Sequence, residues 1–143
     1  DYIKDYLDKF SGVRSFMDSS KTEAKLNGYA VTMMGRRRPC PELASSNYNT
    51  RSFGERVAMN TPVQGSAADI IKLAMVEVSR ELERRGMKTR LILQVHDELI
   101  LEAPIEEKDA AISLLKECME NCCKLSVPLV VDCNSGDNWH DTK

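Results

Sequence analysis

The chain predicts an α+β fold in which an antiparallel β-hairpin sheet packs against long helices. Three observations carry that expectation. Between about Thr50 and Arg85, the residues Ala67, Ile70, Ile71, Ala74, Val78 and Leu82 recur at helical spacing, which suits a helix packed onto a sheet. Two apolar β-forming runs, Leu91-Ile92-Leu93 and Leu99-Ile100-Leu101, are separated by a few polar residues, as a tight hairpin requires. No internal repeat, low-complexity tract or linker interrupts the sequence, so residues 1–143 read as one unit.

The elements follow in order. Residues 1–10 form a helix, and a second runs from about Gly12 to Asn27, where Asn27-Gly28 makes a C-terminal stop. Tyr29 to Met34 alternates weakly and predicts a strand. Gly35 turns the chain into Arg36-Arg37-Arg38, and Pro39 and Pro41 keep this return irregular or at a sheet edge. The polar stretch Ser45 to Thr50 supplies an N-cap for the next helix. That helix must kink or restart near Pro62, because proline lacks the amide donor and clashes one turn back. Gly86 ends it, the 89–102 hairpin follows, and Pro104 opens a further helix through about Cys123. Pro128 to Cys133 predicts a last strand.

Composition bounds the class. A chain of 143 residues with 42% hydrophobic and 29% charged residues fits one modest globular domain. No apolar run is long enough for a transmembrane span, and the start does not read as a signal peptide. Cys40, Cys118, Cys122, Cys123 and Cys133 are odd in number and lack a repeated Cys-x-x-Cys spacing, which argues for free thiols in a reducing, cytoplasmic compartment. Cys118, Cys122 and Cys123 lie within two helical turns. Their spacing is open to a metal cluster or to small apolar side chains filling a helix face, the second being favoured because cysteine behaves as a buried hydrophobe.

The net charge of −2 hides an asymmetry: residues 1–90 carry 16 Lys/Arg against 11 Asp/Glu, and residues 91–143 carry 4 against 11. A basic first part suits a phosphate backbone and an acidic second part suits metal, although two solvated faces would look the same.

Two segments carry chemistry. In Gln94-Val95-His96-Asp97-Glu98-Leu99, a polar triplet sits at the expected hairpin tip and holds Asp97 and Glu98 side by side at the rim of a sheet. Adjacent carboxylates repel each other and attract hard divalent cations, so the triplet reads as half of a magnesium site; a solvated turn is the bland reading. In the run Glu55 to Asp69, the residues Arg56, Asn60 and Gln64 are spaced by four and form one polar stripe on a continuous helix. All three donate hydrogen bonds through planar groups, and the DNA minor groove offers acceptors at similar positions for every base pair. Such a stripe can test pair geometry while ignoring sequence; a solvated helix face is its bland reading.

Together these segments resemble the family A DNA polymerases, the bacterial DNA polymerase I group. The matching pieces are Gly35-Arg36-Arg37-Arg38, the run from Arg56 through Asn60, Pro62 and Gln64-Gly65-Ser66-Ala67-Ala68-Asp69-Ile70 to Ala74-Met75, and Gln94-Val95-His96-Asp97-Glu98-Leu99 through Glu102. Pro104 and the ending from Val127-Pro128-Leu129 to Asp137-Asn138-Trp139 also fit, so the resemblance covers essentially the whole chain. It implies a partial polymerase palm at residues 11–143, with the tail of the fingers at 1–10. It implies an enzyme, a DNA-directed DNA polymerase of replication and repair, with primer–template DNA and a deoxynucleoside triphosphate as partners. Asp97 matches the family's second metal-binding aspartate and Glu98 its less critical neighbour. His96 corresponds to a residue near the primer terminus, and Arg56, Asn60 and Gln64 to groups lining the primer–template minor groove. In such enzymes the primer 3′-hydroxyl attacks the α-phosphate of the nucleotide, with two Mg²⁺ ions lowering the hydroxyl pKa and stabilising the leaving pyrophosphate.

One departure matters. The family's other metal aspartate belongs to an Asp-Tyr-Ser motif ending in Glu-Leu-Arg, which this sequence lacks; Asp1-Tyr2 and Asp5-Tyr6 are followed by other residues. The nucleotide-binding fingers helix, the thumb and any exonuclease domain are missing too. The expectation is therefore an excised piece of a polymerase, with an incomplete two-metal Mg²⁺ site, inactive by itself, and prone to self-association through a sheet edge left unpaired. The competing class is a non-catalytic DNA-binding module with the same fold; a lost Asp97 would have favoured it. A metal-dependent nuclease would need further ligands, and His140 is the only other histidine.

Overall fold

A computed structural model describes residues 2–142; Asp1 and Lys143, and so the Asp1-Tyr2 pair, lie outside the described residues. Two units divide between Asp69 and Ile70.

The first unit begins with α1 (Tyr2–Lys9) and α2 (Ser11–Asn27). Gly28 ends α2 in the left-handed conformation at φ 78°, with its amide donating to the Ala24 carbonyl, which is the stop expected at Asn27-Gly28. Strand β1 (Tyr29–Val31) pairs antiparallel with β2 (Arg37–Pro39) in a two-stranded sheet, Ala30 opposite Arg38. The expected strand to Met34 is thus shorter, because the Thr32 amide bonds Arg36 and the Gly35 amide bonds Thr32, closing a turn over residues 32–36. A 3₁₀ turn, Pro41–Ala44, leads to α3 (Tyr48–Asn60), capped by the Asn47 side chain, which accepts from the Asn49 and Thr50 amides at 2.9 and 3.2 Å. Ala24, Ala30, Cys40, Leu43 and Ala58 form this unit's core. Four of the five are small, which lets the backbones of α2, β1 and α3 approach closely.

The α-helix is interrupted at Pro62, as the sequence predicts: α3 ends at Asn60 and a new α-helix starts at Ser66. Thr61–Gly65 forms a π turn joining α3 to α4 (Ser66–Arg84). The wider turn accommodates the proline ring, and side chains take over part of the bonding: Thr61 Oγ1 donates to the Val57 carbonyl at 2.7 Å, and Ser66 Oγ to the Pro62 carbonyl.

The second unit holds β3 (Arg90–Val95), β4 (Glu98–Glu102) and α5 (Lys108–Asn121). Its core joins Ala74, Val78 and Leu82 to Leu99, Leu114 and Cys118, with Leu91, Leu101 and Cys122 packed against them. Helical spacing therefore identified Ala74, Val78 and Leu82 of this core, whereas Ile70 and Ile71 are half-buried, Ala67 is exposed, and the buried Ser66 and Asp69 of α4 lay outside the apolar pattern. The hairpin is not buried throughout. Register shifts between Leu91 and Leu93, and Ile92 and Leu93 are 55% and 43% exposed while Leu99 is 8% exposed. A two-stranded sheet lays one face on the helices, and the bulge leaves Ile92 and Leu93 uncovered. Glu107 fixes the hairpin base, accepting from the Lys88 and Thr89 amides and from Thr89 Oγ1 at 3.0, 2.9 and 2.6 Å. Residues 128–133 are not a strand, contrary to the sequence expectation. Both sheets among the described residues are two-stranded, Pro128 has no amide to donate, and the Val131 amide is bonded to Glu120 Oε1 instead.

Candidate nucleic-acid interface and carboxylate tip

Two sites emerge, one in each unit. In the first, Arg56, Asn60 and Gln64 line a single groove of about 420 Å³ together with Arg36, Arg37 and Arg38. Helix geometry explains why the spacing-by-four stripe survives the proline. On an α-helix each step of four residues overshoots a turn by roughly 40°. The π turn takes more residues per revolution, so the step from Asn60 to Gln64 falls back and keeps the three side chains on one groove. All three are exposed, as are the three arginines. Arg56 lies 5.9 Å from the Phe53 ring and Arg37 lies 4.7 Å from the Tyr29 ring, so each cation rests on an aromatic face while staying in water.

The groove's other wall is held by residues that spacing alone did not single out. Asp69, whose side chain is 3% exposed, accepts from Arg36 Nε at 2.7 Å and from Thr32 Oγ1 at 2.6 Å. Thr32 Oγ1 in turn accepts from the Arg36 amide at 3.2 Å, and the Met33 amide donates to Ser66 Oγ at 2.9 Å. Gly65 faces Thr32 so closely that a Cβ there would stand 2.6 Å from Thr32 Cγ2. The first residues of α4 thus clamp the turn that carries the arginines. The available signal was an acid, a serine and a glycine close together before an apolar helix face; their partners, more than 30 residues upstream, were not visible in it.

In the second unit, His96 and Asp97 form a two-residue turn and Glu98 opens β4 opposite Val95. The polar triplet is therefore divided between turn and strand and does not form one loop. His96 adopts φ 53°, the left-handed conformation that a tight hairpin demands at this place and that histidine tolerates better than most residues. Gln94 Nε2 donates to the His96 carbonyl at 2.5 Å and ties the tip to its own strand. His96, Asp97 and Glu98 are all exposed.

Among the described residues no three His, Cys, Asp or Glu side chains come together as a metal site. The tip offers two carboxylates of the hard-oxygen kind that Mg²⁺ prefers, and that ion commonly completes its shell with water and substrate phosphates. The residues present thus fit the protein's share of such a shell but do not by themselves complete it. The cysteines serve packing: Cys118 is in the core, and burial pushes the Cys118 and Cys122 thiols above their ordinary range, away from the thiolate that binds metal. All five are free thiols. No helix among the described residues is long and apolar enough to cross a membrane.

The sequence profile of DNA polymerase family A matches residues 1–141. The chain is 54% identical over 142 residues to DNA polymerase I of Bacillus subtilis, covering 99% of this chain and 16% of that protein. It is 45% identical over its full 143 residues to DNA polymerase I of Caldicellulosiruptor bescii, covering 17% of that protein. It thus spans about a sixth of the length of these relatives. Among solved structures it resembles the polymerase domain of Pol1 from M. smegmatis, described in complex with DNA primer–template and dNTP. The TM-score is 0.95 at 43% identity, over 98% of this chain and 25% of that one.

Proposed function

Because the chain belongs to DNA polymerase family A, we propose that it serves a DNA-directed DNA polymerase, as the part that grips primer–template DNA and presents carboxylates for nucleotide addition in replication and repair. The observation that carries this reading is the single groove uniting Arg56, Asn60 and Gln64 with Arg36, Arg37 and Arg38. Planar donors on one wall suit the minor-groove acceptors shared by all base pairs, and a cluster of arginines on the other suits the phosphate backbone. His96 stands next to the carboxylates and is assigned to the primer terminus. Residues 1–10 are assigned to the fingers and 11–143 to the palm.

Asp97 and Glu98 would hold Mg²⁺, with water and the substrate's phosphates completing its shell. When bound, the ion supplies charge that polarises a phosphoryl oxygen and lowers the pKa of a coordinated hydroxyl. The chain's own contribution is to hold both carboxylates at a tip anchored by Gln94, in water, where they stay available to a metal and a nucleotide. Two carboxylates are too few for tight binding, so the 143-residue chain alone takes up Mg²⁺ or Mn²⁺ weakly and extends no primer. Free thiols fit a reducing cytoplasm.

The test is made in the full-length polymerase. Gln64→Ala and Arg56→Ala should each weaken extension from a correct primer terminus by about 10-fold, equally for all four terminal pairs. A strong dependence on the identity of the terminal pair would remove the minor-groove role and favour a DNA-binding surface of another kind.

A further inference from the structure

The groove reading above leaves Asp69 without a task, although it is a carboxylate buried beside a cluster of cations. Its two oxygens are engaged on opposite sides of one turn, Oδ1 by Arg36 Nε and Oδ2 by the Thr32 hydroxyl. Thr32 passes the constraint on by accepting from the Arg36 amide. The guanidinium is thus bonded at Nε, and its own backbone is bonded at the amide, while the Arg36 side chain stays 61% exposed. That combination fixes the direction of a cation without removing it from water. A planar guanidinium held at Nε keeps its forked end for a phosphate, and less side-chain entropy is lost when the phosphate arrives.

We propose that Asp69 is a positioning residue for DNA binding: it preorganises Arg36, and with Thr32 the whole 32–36 turn, as a phosphate clamp on the rim of the groove. The proposal rests on the groove being the DNA site. Two effects of the carboxylate compete. Its negative charge lowers the local attraction for phosphate, and its hydrogen bonds orient the guanidinium. Arg36 is solvent-exposed, so the charge effect is screened, whereas the two short bonds act on the geometry directly. Orientation wins.

The experiment measures equilibrium binding of a primer–template duplex to the full-length polymerase over a range of salt, with kcat and KM, for Asp69→Asn, Arg36→Ala, Arg36→Lys, Thr32→Val and the double variant Asp69→Asn/Arg36→Ala. Asp69→Asn should weaken duplex binding roughly tenfold and reduce the salt slope by about one phosphate contact, with kcat changed by less than about threefold. Arg36→Ala should weaken duplex binding and lower the salt slope to the same extent, and the double variant should bind no worse than either single. Lysine lacks the Nε fork and should not restore binding at position 36. Thr32→Val should give a smaller loss of the same kind, which keeps the test open if Asp69→Asn fails to fold. Tighter binding by Asp69→Asn, the result of simply deleting a negative charge, overturns the proposal. So does an additive double variant, or a loss of thermal stability with an unchanged salt slope, since either would make Asp69 a packing residue only. If Arg36→Ala itself leaves affinity and slope unchanged, the groove is not the DNA site and the proposal falls with that reading. If Arg36→Ala weakens binding and Asp69→Asn does not, the reading stands and the proposal alone fails.

Discussion

Asp97 and Glu98 are neighbours in sequence with different mechanical footing, one on the turn and the other in the first pair of the β-ladder. The turn residue owes its place to the strained His96 backbone and the Gln94 tie, while Glu98 is held by strand pairing opposite Val95. Asp97 is taken as the essential ligand, so in the full-length enzyme Asp97→Ala should cut primer extension by roughly a thousandfold and Glu98→Ala by about 10- to 100-fold. Equal losses in a single-turnover assay would mean that the two roles are wrongly divided. At this scale the sequence was informative where chemistry is carried by adjacent or evenly spaced residues. The His96-Asp97-Glu98 tip and the Arg56, Asn60 and Gln64 stripe could be located without coordinates. The Asp69–Thr32–Arg36 network could not, because it joins residues 33 and 37 positions apart through a turn whose closure depends on tertiary packing.

Among the elements, the π turn shows how a helix can be interrupted at a proline and still keep a stripe of side chains on one groove. Proline forbids the regular α bond, yet the chain passes through it by widening, and the stripe stays on one groove. Gly65 is the place where this turn nearly touches Thr32. Thr32 is β-branched and held by Asp69, so it cannot swing away, and Gly65→Ala should destabilise the protein by about 1–3 kcal/mol, read as a fall in the midpoint of chemical unfolding. The 128–133 segment failed as a strand because apolar composition makes a strand only where a partner edge accepts its bonds. Carboxylates fix other elements. Bonds from the Lys88 amide, then from the Thr89 hydroxyl, hold Glu107 below its ordinary 4.5, and Arg84, with Arg85, pulls Glu81 down to about 2. Both are groups whose folded pKa is depressed, so their stabilisation is complete above about pH 4.5 and is lost as pH falls through the depressed pKa, which for Glu81 is about 2. Thermal midpoints measured across that window should decline, and Glu107→Gln should make the decline shallower. An unchanged profile in Glu107→Gln would show that the hairpin base does not depend on that charge.

For the molecule as a whole, the exposed hairpin has consequences beyond chemistry. Among the described residues its sheet has two strands, so each presents an outer edge that no third described strand pairs, and Ile92 and Leu93 stand 55% and 43% exposed beside it. Unpaired edges with apolar side chains recruit another chain, because pairing satisfies backbone donors and covers apolar area at once. The core formed by Ala74, Val78, Leu82, Leu99, Leu114 and Cys118 does not use these two residues, so they can be changed without opening it. The 143-residue chain should therefore fold and, at high concentration, self-associate through the β3–β4 hairpin. Sedimentation velocity over a hundredfold range of concentration should show the sedimentation coefficient rising, and Ile92→Lys with Leu93→Lys should return it to the monomer value while leaving the far-ultraviolet circular dichroism unchanged. Charged side chains are the usual protection of natural sheet edges, so the rescue addresses the edge and not the core. A chain that stays monomeric throughout, or one whose association survives the two lysines, would place the sticky surface elsewhere than the hairpin.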